Sequence, residues 1–129
     1  MHQASSTSEI VILLAEDEVM VRNLVQQILM AEGFQVLAAA DGQEAAELFR
    51  RCPNTIHMLL TDVNMPKLSG FRLAQQIRLE KPRIKIMFMC GNWNFPGDAL
   101  PANVIMKPFG ANDLVAKVRE ALDAPPEPW

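Results

Sequence analysis

The chain has 129 residues, half of them hydrophobic and 21% charged, with a formal net charge of −3 and a pI near 5.3. That length fits one domain with a substantial core, and a second catalytic or cap domain is not expected. The lack of a basic excess argues against nucleic acid as a partner, and no apolar run reaches the roughly 18 residues of a membrane span.

The polar opening MHQASSTSE, residues 1–9, reads as a flexible tail without an apolar signal segment, so a cytoplasmic location is expected. Residues 10–15, IVILLA, form a continuous apolar run suited to a strand covered on both faces. A helical pattern follows, with Val21, Leu24, Val25, Ile28 and Leu29 on one core-facing stripe and Gly33 as its C-terminal stop. Residues 34–39 read as the second strand. Asp41 with Glu44 resembles a capping box, opening a helix that would bury Ala45, Leu48 and Phe49 and end near Cys52-Pro53.

The third strand is expected at 57–61. The third helix would start at Ser69-Gly70, pack through Phe71, Leu73, Ala74 and Ile77, and stop before Lys81-Pro82. IKIMFM, residues 84–89, is the fourth strand and 103–106 a short fifth. Leu114, Val115, Val118 and Leu122 mark a last helix, and the proline-rich 124–129 reads as a disordered tail. Between strands four and five, Gly91, Pro96, Gly97 and Pro101 allow only a shortened or irregular fourth helix.

This alternation predicts an α/β fold, a doubly wound five-stranded parallel sheet of the flavodoxin-like order 2-1-3-4-5, spanning residues 10–123. Ligands of such sheets sit at the carboxyl ends of the strands, beside the switch point between strands one and three. Strand one ends in Glu16-Asp17, strand three in Asp62, strand four in Cys90 and strand five in Lys107-Pro108. Three carboxylates gathered there repel one another unless a cation neutralises them, and an all-oxygen set suits Mg²⁺. One of them could attack phosphorus while Lys107 offsets charge on the phosphoryl oxygens, and Asp62 is the best placed.

The acidic pair Glu16-Asp17, the segment DVNMPKLSG from Asp62 to Gly70, and Lys107-Pro108-Phe109 together resemble the receiver domain of two-component response regulators. The segment IMFMCGN is further similar to receivers fused to hybrid histidine kinases. The resemblance implies that Asp62 takes a phosphoryl group from a phosphohistidine on a histidine kinase or histidine phosphotransfer protein. It implies that Glu16, Asp17, Asp62 and the backbone carbonyl of Asn64 hold Mg²⁺, that Lys107 contacts the phosphoryl group, and that the Lys107-Pro108 bond is cis. It also implies a chain that is not an enzyme beyond its own phosphorylation and dephosphorylation and that acts through protein partners, while composition and the short apolar runs argue against nucleic acid or a membrane.

Two positions depart from what the resemblance implies. Cys90 stands where a Ser or Thr hydroxyl is expected, and a thiol is a weak donor. Ile105 stands two residues before the lysine, where an aromatic ring is expected. Both fall on the relay that carries the signal away from Asp62, so a pseudo-receiver that only docks is the alternative reading. An aspartyl-phosphate phosphatase is a third, disfavoured because Asn64 cannot act as the acid or base that its chemistry needs.

Plainer readings apply elsewhere. Glu18 is a helix-start charge and His57 a structural residue; Cys52 and Cys90 are reduced thiols, although Lys107 beside Cys90 could activate it. Trp93 and Phe95 could shape a partner surface or simply pack.

Overall fold

The computed structural model describes residues 9–91 and 103–125. Strand β1 (Val11–Ala15) leads to helix α1 (Val19–Ala31), β2 (Gln35–Ala39) to α2 (Gly42–Arg51), and β3 (Met58–Asp62) to α3 (Gly70–Glu80). Then come β4 (Lys85–Cys90), β5 (Val104–Met106) and α4 (Ala111–Asp123). The expected shortened fourth helix, Trp93, Phe95 and most of both tails lie outside the described residues, so α4 is the last helix anticipated from the sequence.

The five strands pair in parallel in the order β2-β1-β3-β4-β5. Because strand side chains alternate, the sheet separates two apolar layers. One holds Leu13, Leu59 and Phe88 against Ala45 and Phe49 of α2 and Leu73 and Ile77 of α3. The other holds Ile12, Leu14, Leu60 and Met87 against Val25 and Leu29 of α1 and Leu114 and Val118 of α4. Each such large side chain contributes about 1.5–3 kcal/mol on burial, before the ordering entropy is counted.

Local chemistry fixes the helix ends. Gly33 takes φ 97°, and the amide of Phe34 returns to the Leu29 carbonyl at 3.2 Å, closing α1 in the left-handed manner that glycine permits. Asp41 accepts from the Glu44 amide at 2.8 Å, the first half of the anticipated capping box, while the Glu44 carboxylate accepts at 2.6 Å from the amide of Ala40, the residue before the N-cap. His57 accepts the Val11 amide on Nδ1 at 3.0 Å, a structural contact at the end of the sheet far from the strand tips.

Two expectations are corrected. Strands three and four run one residue later than anticipated, ending at Asp62 and Cys90, because the β3–β4 ladder extends to Asp62↔Met89 and the β4–β5 ladder to Cys90↔Met106. Leu24 is not on the buried stripe: it is 52% exposed, because α1 buries Val25 and Leu29, and a helix rotates 100° per residue away from that line.

Gly70 begins α3 directly against the strand tip, where a Cβ would run into the Asp62 carbonyl oxygen. Gly70→Ala is therefore expected to lower unfolding free energy by about 1–3 kcal/mol, the usual cost of overpacking. Urea denaturation followed by circular dichroism measures it.

Candidate functional site

The strand tips of β1, β3 and β5 converge at one point. Glu16, immediately after β1, is fully buried, its neighbour Asp17 is exposed, and Asp62 at the end of β3 is buried. One carboxylate oxygen from each of these three lies within 4.8 Å of the others. Lys107, just past β5, reaches in with its Nζ 2.8 Å from Glu16 Oε1 and 3.5 Å from Asp62 Oδ2. Four groups from three distant segments thus share one small volume, as the sequence predicts.

The network around Glu16 explains why this loop holds its shape. Its second oxygen accepts the Glu18 amide at 3.0 Å, and its backbone carbonyl accepts from the Arg22 guanidinium at 2.9 Å. Glu16 thereby anchors Glu18, the N-cap residue of α1, which makes no side-chain cap of its own. Arg22 was not anticipated; a lone arginine one turn into a helix carries no signal in sequence. The Lys107-Pro108 peptide bond is cis, as the resemblance implies.

The electrostatics are unbalanced. Burial pushes the Glu16 carboxyl above the ordinary range, the Lys107 and Glu18 hydrogen bonds pulling the other way and Asp62 adding repulsion. Burial likewise raises Asp62, with Lys107 opposing and Asp17 reinforcing the shift. Burial alone would lower the Lys107 ammonium, but its hydrogen bond to Glu16 and the charges of Asp62 and Glu16 outweigh that and hold it above its usual value. One lysine does not offset three acids. The donor set is all oxygen, with one exposed acid open to water, which suits a hard divalent cation that keeps part of its hydration.

Cys90 and Asn64 flank this point. Cys90 is fully buried at the end of β4, one residue beyond the Asp62↔Met89 pair, and its carbonyl accepts the Lys107 amide at 2.8 Å. Asn64 lies exposed two residues after Asp62. Both cysteines are free thiols.

Ile105 requires a correction. Its side chain lies in the layer with Met87, Met89 and Leu114, whereas Cys90 lies in the opposite layer with Phe88 and Val104. Strand alternation puts Val104, not Ile105, on the face of Cys90. A side chain that moves with residue 90 would therefore be at 104, and the parity of β5 settles it.

Residues 12–119 match the family described as response regulator receiver domain. The chain belongs to this family. The receiver domain is 36% identical over 118 residues to the response regulator receiver protein CpdR of Brucella abortus, covering 88% of this chain and 97% of that protein. It is 32% identical over 116 residues to the aerobic respiration control protein ArcA of Escherichia coli, covering 86% of this chain but 48% of that protein. The chain thus spans about half the length of the ArcA proteins it matches. Among solved structures, the receiver domain of the hybrid histidine kinase CckA superposes with a TM-score of 0.76 at 32% identity, covering 88% of this chain and 99% of that one. Among the described residues, no helix is long and apolar enough to cross a membrane.

The raised carboxyls set the sign of a pH effect in metal-free protein. Glu16 and Asp62 hold protons more tightly folded than unfolded, so their contribution is full below the unfolded range near about pH 4 and is lost as pH rises through their raised folded values. Lys107, also raised, contributes at every pH below the unfolded lysine range of about 10.4 and loses that contribution only as pH rises through its folded value. Asp62→Asn is therefore expected to raise the thermal midpoint at pH 7 in the presence of chelator. The gain should shrink as pH falls toward 4. Differential scanning calorimetry across that range checks both.

Proposed function

We propose that this receiver domain accepts a phosphoryl group on Asp62 from a phosphohistidine of a histidine kinase or histidine phosphotransfer protein, in a Mg²⁺-dependent reaction in the cytoplasm. The observation that carries this reading is the meeting of Asp62, Glu16, Asp17 and Lys107 at one set of strand tips. An Asp62 carboxylate oxygen attacks phosphorus, the P–N bond breaks, and the donor imidazole leaves with the bonding electrons. Glu16, Asp17, Asp62 and the Asn64 backbone carbonyl would hold the Mg²⁺. Glu16, with both oxygens engaged by Lys107 and the Glu18 amide, would complete the negative cradle and hold Lys107 in place. When bound, Mg²⁺ supplies charge neutralisation at the phosphoryl oxygens. Lys107 supports the same oxygens with its ammonium.

The partner must bring its histidine to this rim, and the rim offers a surface for it. Val19, Met20 and Leu24 on α1 are 56%, 82% and 52% exposed, beginning two residues after Asp17. Exposed apolar side chains at helical spacing suit packing against a partner helix. The domain catalyses no reaction beyond its own phosphorylation and dephosphorylation, and it switches or relays the signal through protein partners.

A second reading, a pseudo-receiver that only docks, draws support from the relay. Cys90 is a buried weak donor and Val104 beside it has no ring, so the movement that would report phosphorylation has lost its usual chemistry.

Titration with Mg²⁺ and beryllofluoride, a phosphoryl mimic, separates the two. Saturable binding that is lost in Asp62→Asn is expected; no binding by the wild type would favour docking alone. Met20→Asp and Leu24→Asp are expected to slow phosphotransfer from a donor kinase by about ten-fold or more, as at interface anchors, with beryllofluoride binding retained. Phosphotransfer assayed with labelled phosphohistidine donor measures the effect.

A further inference from the structure

Three polar residues are buried among the described ones: Glu16, Asp62 and Thr61. The first two belong to the acidic cluster; Thr61 has no part in it. Yet it interrupts the apolar run of β3, MLLTD, directly before Asp62, and is completely buried. A buried hydroxyl requires a partner. Thr61 Oγ1 donates to the backbone carbonyl of Asp62 at 2.8 Å.

That carbonyl occupies a particular place in the sheet. The ladder between β1 and β3 ends at Ala15↔Thr61, while the ladder between β3 and β4 continues to Asp62↔Met89. The Val63 amide donates to the Met89 carbonyl at 3.1 Å, toward β4. Across a trans peptide the Asp62 carbonyl points the opposite way, toward the side where β1 has given way to the acidic pair. The strand there no longer pairs, and the Thr61 hydroxyl supplies a hydrogen bond in its place. Threonine is stiff about χ1, so the donor is held in one direction.

We propose that Thr61 is a positioning residue for the phosphoacceptor: its hydroxyl fixes the Asp62–Val63 peptide plane and, through it, the directions of the Asp62 carboxylate and the Asn64 carbonyl. The Asp62 carboxylate springs from the Cα at one end of that plane and Asn64 follows the Cα at the other, so a change in ψ of Asp62 or φ of Val63 redirects one relative to the other. α3 passes close to the same carbonyl at Gly70, where a Cβ would run into it, and the Gly70 amide donates to the next carbonyl, that of Val63, at 2.8 Å. The inference rests on the reading of Asp62 as phosphoacceptor.

The test compares wild type with Thr61→Val, which keeps shape but removes the donor, and Thr61→Ser, which keeps the donor. Affinity for Mg²⁺ with beryllofluoride is measured by calorimetry, and thermal stability is measured beside it. Thr61→Val is expected to weaken binding by about five-fold or more, the equivalent of one neutral hydrogen bond, and Thr61→Ser to restore it. A merely structural threonine would shift the melting midpoint and leave the affinity alone. Thr61→Val binding as tightly as wild type overturns the proposal. If the valine variant does not fold, Thr61→Cys serves, a near-isosteric weak donor expected to bind less tightly than Thr61→Ser; equal affinities overturn the proposal. Failure of the wild type itself to bind overturns the phosphoacceptor reading and this inference with it, an outcome distinct from wild type and valine variant binding alike.

Discussion

Burying carboxylates beside one another is the constraint on which this molecule turns. Glu16 and Asp62 are removed from water at the neighbouring tips of β1 and β3, with Asp17 at the rim. Their mutual repulsion and desolvation oppose the ionised forms, and Lys107 offsets only part of this. The two apolar layers do not call for such an arrangement, although Glu16 also steadies the loop after β1. A hydrophobic sheet could end in neutral residues at lower cost, so the cluster is legible as a site held ready for positive charge, with the two apolar layers beneath supplying the rigidity.

Those layers also determine how accurately the site is built. The central strands are buried on both faces, so their tips have little freedom to drift. α3 starts against the Asp62 carbonyl at Gly70, and α2 starts against the following loop at Gly42, where a Cβ would meet the Leu68 carbonyl. Between them Lys67 takes φ 72°, a conformation uncommon outside glycine, with its ammonium 3.5 Å from Asp41. An exposed pair of this kind contributes little energy, so the loop conformation depends chiefly on its packed neighbours.

Much of this was readable in the sequence because the signals are periodic or local. Continuous apolar runs gave the strands, Asp41 with Glu44 gave a cap, and Glu16, Asp17, Asp62 and Lys107 lay at strand ends where the topology unites them. What escaped depends on geometry that periodicity does not encode. Leu24 satisfies an apolar helical pattern as well as Val25 does, and only the line along which α1 meets the sheet separates them. Ile105 and Val104 are both aliphatic residues of a three-residue strand, too short for alternation to declare a face. Arg22 acts through a backbone carbonyl, which has no letter in the sequence. Thr61 did leave a trace, a hydroxyl inside an apolar run, whose meaning appears only when its neighbour's carbonyl is located.

The sheet's division into two apolar compartments limits how such a domain can be re-engineered. A hydroxyl and an aromatic ring introduced to rebuild communication across the β4–β5 edge would need to share a compartment, which means positions 90 and 104. A ring grafted at 105 would instead wedge into the half packed by α1 and α4, straining the interior on the wrong side of the wall.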